Sequence, residues 1–137
     1  MRAFIDTSSL IKKYKYESGR EEFLEILNSI NEIIVSAVTY IELLCTLQRI
    51  CEEFKWKKNI FLRIKKEIDL DYSYFKKVPL TENLEEIAFT LRQKNKLKSL
   101  DLIQLSSAII SKPNIFITSD KQLYKIAKKE LNKVILI

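Results

Sequence analysis

The chain has 137 residues, 47% hydrophobic and 31% charged, and its 24 Lys and Arg against 18 Asp and Glu give a formal net charge of +6. That length matches one domain with one core, and the balance of apolar and charged residues excludes a disordered or membrane-spanning chain. There is no histidine, which removes imidazole as a general base, phosphate acid or zinc ligand; the cationic excess suits a polyanion such as nucleic acid without identifying one.

In chain order, the run from Arg2 to Ile5 reads as a strand, and Asp6 follows too soon for a secretory signal. No later apolar run is long enough to cross a bilayer, so the expected location is cytoplasmic. Helical spacing is expected near Ser9 to Tyr16 and Arg20 to Ile30, a strand near Ile33 to Ser36, and longer helices near Val38 to Glu53 and Trp56 to Tyr72. Cys45 and Cys51 fall six residues apart within one of these helices and read as buried free thiols. A strand near Lys77 to Leu80 contains Pro79, which cannot donate to a ladder and places it at a sheet edge. Thr81 reads as the N-cap of a helix near Glu82 to Asn95 with an acidic first turn. A helix near Leu100 to Ser111 stops before Pro113; a strand near Ile115 to Thr118, a helix near Lys121 to Leu131 and a strand near Lys133 to Leu136 complete the chain. The alternation predicts an α/β fold with a mainly parallel sheet, as a single domain over residues 1–137. A single glycine, Gly19, excludes Gly-rich phosphate loops.

Most carboxylates have a basic residue three or four positions away, as Asp69 has Lys65 and Lys66, and as Glu52 and Glu53 have Arg49. Asp6, Glu42, Asp101 and Asp120 differ. Asp6 ends the first strand, at the edge where ligands bind in open parallel sheets, although it would equally serve as a helix cap. Glu42 stands on an apolar helix with Val38, Thr39, Cys45 and Thr46 as its helical neighbours, so it needs a distant partner, either a metal ion or a lysine from another helix. Asp101 opens an apolar helix and Asp120 follows a strand; singly, each reads as a helix-start carboxylate. Together the four are placed to converge over one sheet edge. Carboxylates without imidazole or thiolate suit hard cations such as Mg²⁺ or Mn²⁺, and such a site suits phosphodiester hydrolysis.

The segments FIDTSSL, VTYIELL, SLDLIQLSSAI and FITSDKQL, in this order along the whole chain, resemble the four motifs of PIN domains, with VapC-type toxins the nearest likeness. The resemblance implies a three-layer α/β/α fold and a Mg²⁺- or Mn²⁺-dependent endoribonuclease. It maps the family's metal-binding acids onto Asp6, Glu42, Asp101 and Asp120, with Ser8 and Thr118 as hydrogen-bonding helpers or substrate contacts. It further implies a homodimer restrained by an antitoxin protein. Ser99 and Leu100 stand before Asp101, where an arginine is common in the family. Lys12, Lys13 and Lys98, with Arg92, Lys94 and Lys96, would supply a basic track for RNA. The apolar face of Phe54, Trp56, Ile60, Phe61, Ile64 and Ile68, with Tyr72 and Phe75, would pack in the core and in part receive an antitoxin segment. Haloacid-dehalogenase phosphatases want a second Asp where this chain has Ser8, and receiver domains want an acidic pair behind the first strand. A housekeeping RNA nuclease and an inert PIN-like binding module are the alternatives; retention of all four acids favours catalysis.

Overall fold

The computed structural model describes residues 1–137 as five strands and seven helices. The strands are β1 (Arg2–Ile5), β2 (Glu32–Ser36), β3 (Lys76–Val78), β4 (Ile115–Thr118) and β5 (Val134–Leu136). The helices are α1 (Thr7–Leu10), continued by a 3-10 turn (Ile11–Lys13), α2 (Arg20–Leu27), α3 (Thr39–Phe54), α4 (Lys58–Tyr72), α5 (Glu82–Lys94), α6 (Ser99–Ser111) and α7 (Lys121–Glu130).

All the strand pairings are parallel, and the sheet order is β3-β2-β1-β4-β5. The chain therefore winds outward from β1 through β2 to β3, then returns to the other side of β1 for β4 and β5. That reversal opens a crevice at the carboxyl ends of β1 and β4. Side chains alternate across the sheet as a strand requires. Ala3, Ile5, Val35 and Ile117 face a core with Leu10, Phe23, Leu43 and Ile68. Phe4, Ile34, Val78 and Phe116 face a second core with Leu84, Leu105, Leu123 and Ala127. Burial on both faces is what forces these strands to be apolar along their length, and it defines the three-layer α/β/α sandwich.

The predicted elements occur, with shifted ends. The first helix begins at Thr7 rather than Ser9 and tightens into the 3-10 turn. β3 ends at Val78, so Pro79 falls just past the edge strand and no ladder bond is lost. Lys55 in the left-handed conformation (φ 52°) stops α3, and α4 starts only at Lys58. Thr81 caps α5, accepting from the Leu84 amide at 3.2 Å. Gly19 begins α2 at φ +83°, and a Cβ there would stand 2.9 Å from the Ile137 side chain, so both backbone and space require glycine. The two cysteines are free, but only Cys51 is buried; Cys45 is exposed because the six-residue spacing turns it to the other side of α3.

Phe4 and Phe116 stack with ring centroids 5.7 Å apart, and both are fully buried between β1, β4 and the α5–α7 layer. Phe116→Ala is expected to destabilise the chain by about 3–5 kcal/mol, measured as a lower urea midpoint with an unchanged m-value.

Candidate active site

The four acids singled out by sequence arise from four separate segments and meet at the carboxyl edge of the sheet. Asp6 is the residue after β1, and its amide still donates to Ile117 at 2.9 Å, so its backbone is held in the β1–β4 ladder. Its carboxylate is only 4% exposed. The Ser8 hydroxyl and the Thr118 hydroxyl (3.0 Å) both donate to its Oδ2. Asp6 stands at the N-cap of α1 without a side-chain cap hydrogen bond, and Ser8 and Thr118 act on the acid itself. Asp120 does cap: its Oδ1 accepts from the amides of Gln122 (2.8 Å) and Leu123 (2.9 Å) at the start of α7. The loop before it is stitched to α1, with the Ser119 amide donating to Ser8 Oγ at 3.0 Å and Ser9 Oγ lying 2.8 Å from Ser119 Oγ.

Glu42, in the first turn of α3, is half-buried, and its Oε1 accepts from Gln104 Nε2 at 2.7 Å and from Thr7 Oγ1 at 3.1 Å. Gln104 and Thr7 were not anticipated from sequence. The one available signal was a glutamine in the middle of the apolar run LDLIQLSSAII, where an amide must find a buried partner. Asp101 lies in the first turn of α6, and the charges acting on it are mainly those of the other acids.

None of the four acids takes part in an ion pair; the salt bridges use Glu17, Glu32, Glu53, Asp69 and Asp71. The lysine partner open to Glu42 is thereby ruled out. Protonation reports the crowding. Burial lifts Asp101 to about 6, and the charges of Asp120, Asp6 and Glu42 add to the rise, while Lys98 opposes it. Asp6 is raised by burial, against its hydroxyl bonds and with a further push from Asp120. Glu42 is raised by burial, with the Gln104 and Thr7 bonds opposing and the Asp6 charge adding. Four carboxylates have therefore been brought to one place without an ion-pair partner, Lys98 acting only at longer range on Asp101.

The donor set fits a hard divalent cation in chemistry: all oxygen, with one oxygen of Asp6, Glu42 and Asp120 outside the side-chain bonds just described. No three of the acids close to chelating distance around a single point. An open cleft of about 300 Å³ runs beside Glu42, walled by Thr7, Ser8, Thr46 and Ile50, with Lys15 and Arg49 at hand.

The anticipated basic residues divide. Lys12 is buried and bonded to Glu17 (3.0 Å) and to the Ser18 carbonyl (2.8 Å), and Lys13 is paired with Asp71. Both hold the 3-10 turn in place, so neither offers a free ammonium to a substrate. Lys98 is exposed at the start of α6, and the adjoining Lys96 carbonyl is tied to Gln122 at 2.6 Å.

Because Asp101 has its ordinary value of 3.8 raised to about 6 in the fold, the folded chain binds more protons than the unfolded one between those values, and its stability falls as pH rises through that window. Asp101→Asn removes this penalty. In chelator, its melting temperature is expected to overtake that of the wild type as pH rises from about 4 to 7, the interval set by the shift; parallel curves would contradict the crowding.

Comparison with known proteins follows the geometry. The chain is similar to a protein in a toxin-antitoxin complex from Klebsiella pneumoniae, with 24% identity, TM-score 0.67 and 88% of each chain covered. It is similar to a chain of FitAcB from Neisseria gonorrhoeae, with 15% identity, TM-score 0.76, and 96% of this chain and 95% of that one covered. It is also similar to VapC20 of Mycobacterium tuberculosis, described as a sarcin-ricin loop cleaving toxin, with 15% identity, TM-score 0.69, and 88% and 92% covered. At these identities the likenesses show the fold. No curated protein sequence matches. Residues 3–129, nearly the whole chain, match the PIN domain family, and the protein is a member of that family.

Proposed function

We propose that the chain is a metal-dependent endoribonuclease that hydrolyses RNA phosphodiester bonds as the toxin of a toxin-antitoxin pair, with Asp6, Glu42, Asp101 and Asp120 as its acidic site. The observation that carries this reading is the convergence of four carboxylates, buried or half-buried in part, with no ion-pair partner. Membership of the PIN family supports nuclease chemistry, and the solved relatives described as a toxin-antitoxin complex and as a toxin that cleaves the sarcin-ricin loop support the choice of RNA and of a toxin.

The unclaimed oxygens of Asp6, Glu42, Asp101 and Asp120 would hold Mg²⁺ or Mn²⁺, which supplies charge stabilisation for a phosphate under attack by water. The chain's own groups provide the rest. Ser8 and Thr118 fix the rotamer of Asp6, and the α7 amides fix that of Asp120. Asp101 is raised by burial and by the neighbouring acids, and a bound cation would act against that rise and keep it ionised. Lys98 is exposed just before the helix that carries Asp101, while Lys15 and Arg49, which border the cleft on the Glu42 side, are paired with Glu17 and Glu53. An RNA backbone crossing the edge would meet the unpaired Lys98 beside the acids.

The proposed partner is an antitoxin protein bound to a homodimer. For the antitoxin, the α4 region offers less than its sequence suggests, since Ile64, Ile68 and Tyr72 are core. What remains open is a cleft of about 480 Å³ lined by Trp56, Phe61, Leu62 and Cys51, and this is where an apolar segment would seat.

Purified chain incubated with total RNA should cleave in Mg²⁺ or Mn²⁺ and not in chelator. Asp6→Asn and Asp101→Asn are expected to lose at least 10- to 100-fold in rate, about the loss seen when a metal site is impaired, while remaining folded. Retained cleavage in Asp101→Asn, or in chelator, would sink the reading. Lys98→Ala should bind RNA more weakly and with a salt dependence shallower by about 0.7 in log-log slope, whereas Lys12→Ala should act on stability.

A further inference from the structure

We propose that Gln104 is the positioning residue of the acidic site: its buried carboxamide, with the Thr7 hydroxyl, pins one oxygen of Glu42 and leaves the other for the cation. The inference rests on the metal-nuclease reading and assigns a role to a residue outside the four acids.

Gln104 is fully buried in the middle of α6. Its Nε2 lies 2.7 Å from Glu42 Oε1, 2.9 Å from Thr7 Oγ1 and 3.3 Å from Thr39 Oγ1. One amide thereby ties α6 to α1 and to the start of α3. Thr39 is itself anchored to the end of β2, since the Ser36 amide donates to its hydroxyl at 3.2 Å. Thr7 Oγ1 donates to the same Glu42 oxygen at 3.1 Å. Both donors fall on Oε1 and none on Oε2, so the carboxylate is gripped on one side.

The carboxamide oxygen of Gln104 is buried and has no partner. A Met or Leu of similar volume would fill the same space without that unpaired group, so packing does not account for the amide. Its short bond to an ionisable acid does. Gln104 also follows Asp101 by three residues, on the same face of one helix. A single helical turn therefore fixes Asp101 and the clamp on Glu42 relative to each other. A carboxylate held in one rotamer loses less freedom on taking a cation than one that must be ordered at that moment, which is why supporting hydrogen bonds raise metal affinity.

The test is Mn²⁺ binding to the full chain without RNA, read from the electron paramagnetic resonance of free Mn²⁺, alongside cleavage against Mn²⁺ concentration. Gln104→Met keeps the volume and removes the donor; its Mn²⁺ affinity is expected to fall by about 10- to 100-fold, with a smaller change in rate at saturating Mn²⁺. Thr7→Val should shift affinity in the same direction by less. Ser106→Ala, on the same helix with a buried hydroxyl that also lacks a partner, should leave affinity unchanged and separates the clamp from general loosening of α6. Wild-type Mn²⁺ affinity in folded Gln104→Met overturns the inference, as does an equal loss in Ser106→Ala. If Gln104→Met does not fold, unchanged affinity in Thr7→Val overturns it. A wild-type chain that binds no Mn²⁺ overturns the metal reading itself and the clamp with it.

Discussion

A carboxylate withdrawn from water must be compensated, and the carboxyl edge of this sheet is organised around four that no cationic side chain compensates. Neutral donors do part of the work. Two hydroxyls serve Asp6, an amide and a hydroxyl serve Glu42, and two backbone amides serve Asp120. These bonds lower the cost of ionisation without cancelling charge, so Asp6 and Glu42 stay raised. A lysine among them would remove the repulsion and, with it, the attraction for a divalent ion. On the proposed reading, a bound cation would relieve that repulsion.

The polar side chains around the acids are arranged so that the sheet ends in a second, hydrogen-bonded layer. Ser36 and Thr118, at the ends of β2 and β4, and Thr39 and Gln104, on α3 and α6, are all fully buried, next to the apolar residues that fill the two cores. Oily packing below gives the edge a rigid base, and the hydroxyls and amide above it transmit that rigidity to the carboxylates. The same division explains the lysines of the 3-10 turn. Lys12 and Lys13 are bound to Glu17 and Asp71, so they hold the 3-10 turn and leave the four acids unpaired.

Charge on the larger scale has the opposite sign. The chain carries +6, which draws a polyanion in, while the local cluster repels phosphate until a divalent ion is present. On the proposed reading, affinity for an RNA backbone and competence to cut it would depend on different groups: exposed cations such as Lys98 for the first, and the acidic edge for the second. Membership of the PIN family places this division of labour on a fold whose strand reversal makes the crevice.

The sequence alone determined the elements and marked the acids. Strand and helix periods differ, and doubly buried strands such as AFI and IFIT are nearly continuous apolar runs, so local pattern was enough to locate all five strands. Asp6 and Asp120 were legible from their place after strands, and Glu42 from the lack of a basic neighbour within one helical turn. What could not be read were relations between segments. That Asp6 is served by Thr118, 112 residues away, and Glu42 by Gln104, 62 residues away, follows only once β1 lies between β2 and β4 and α3 and α6, packed on opposite faces of the sheet, reach one another past its edge. The exposure of Cys45 and the capture of Lys12 and Lys13 were likewise hidden, because which side of a helix meets the core is set by its neighbours. Local sequence fixes backbone preference and residue chemistry; the partner of a buried polar group is chosen by tertiary packing, and in this chain that choice is what turns four scattered acids into one site.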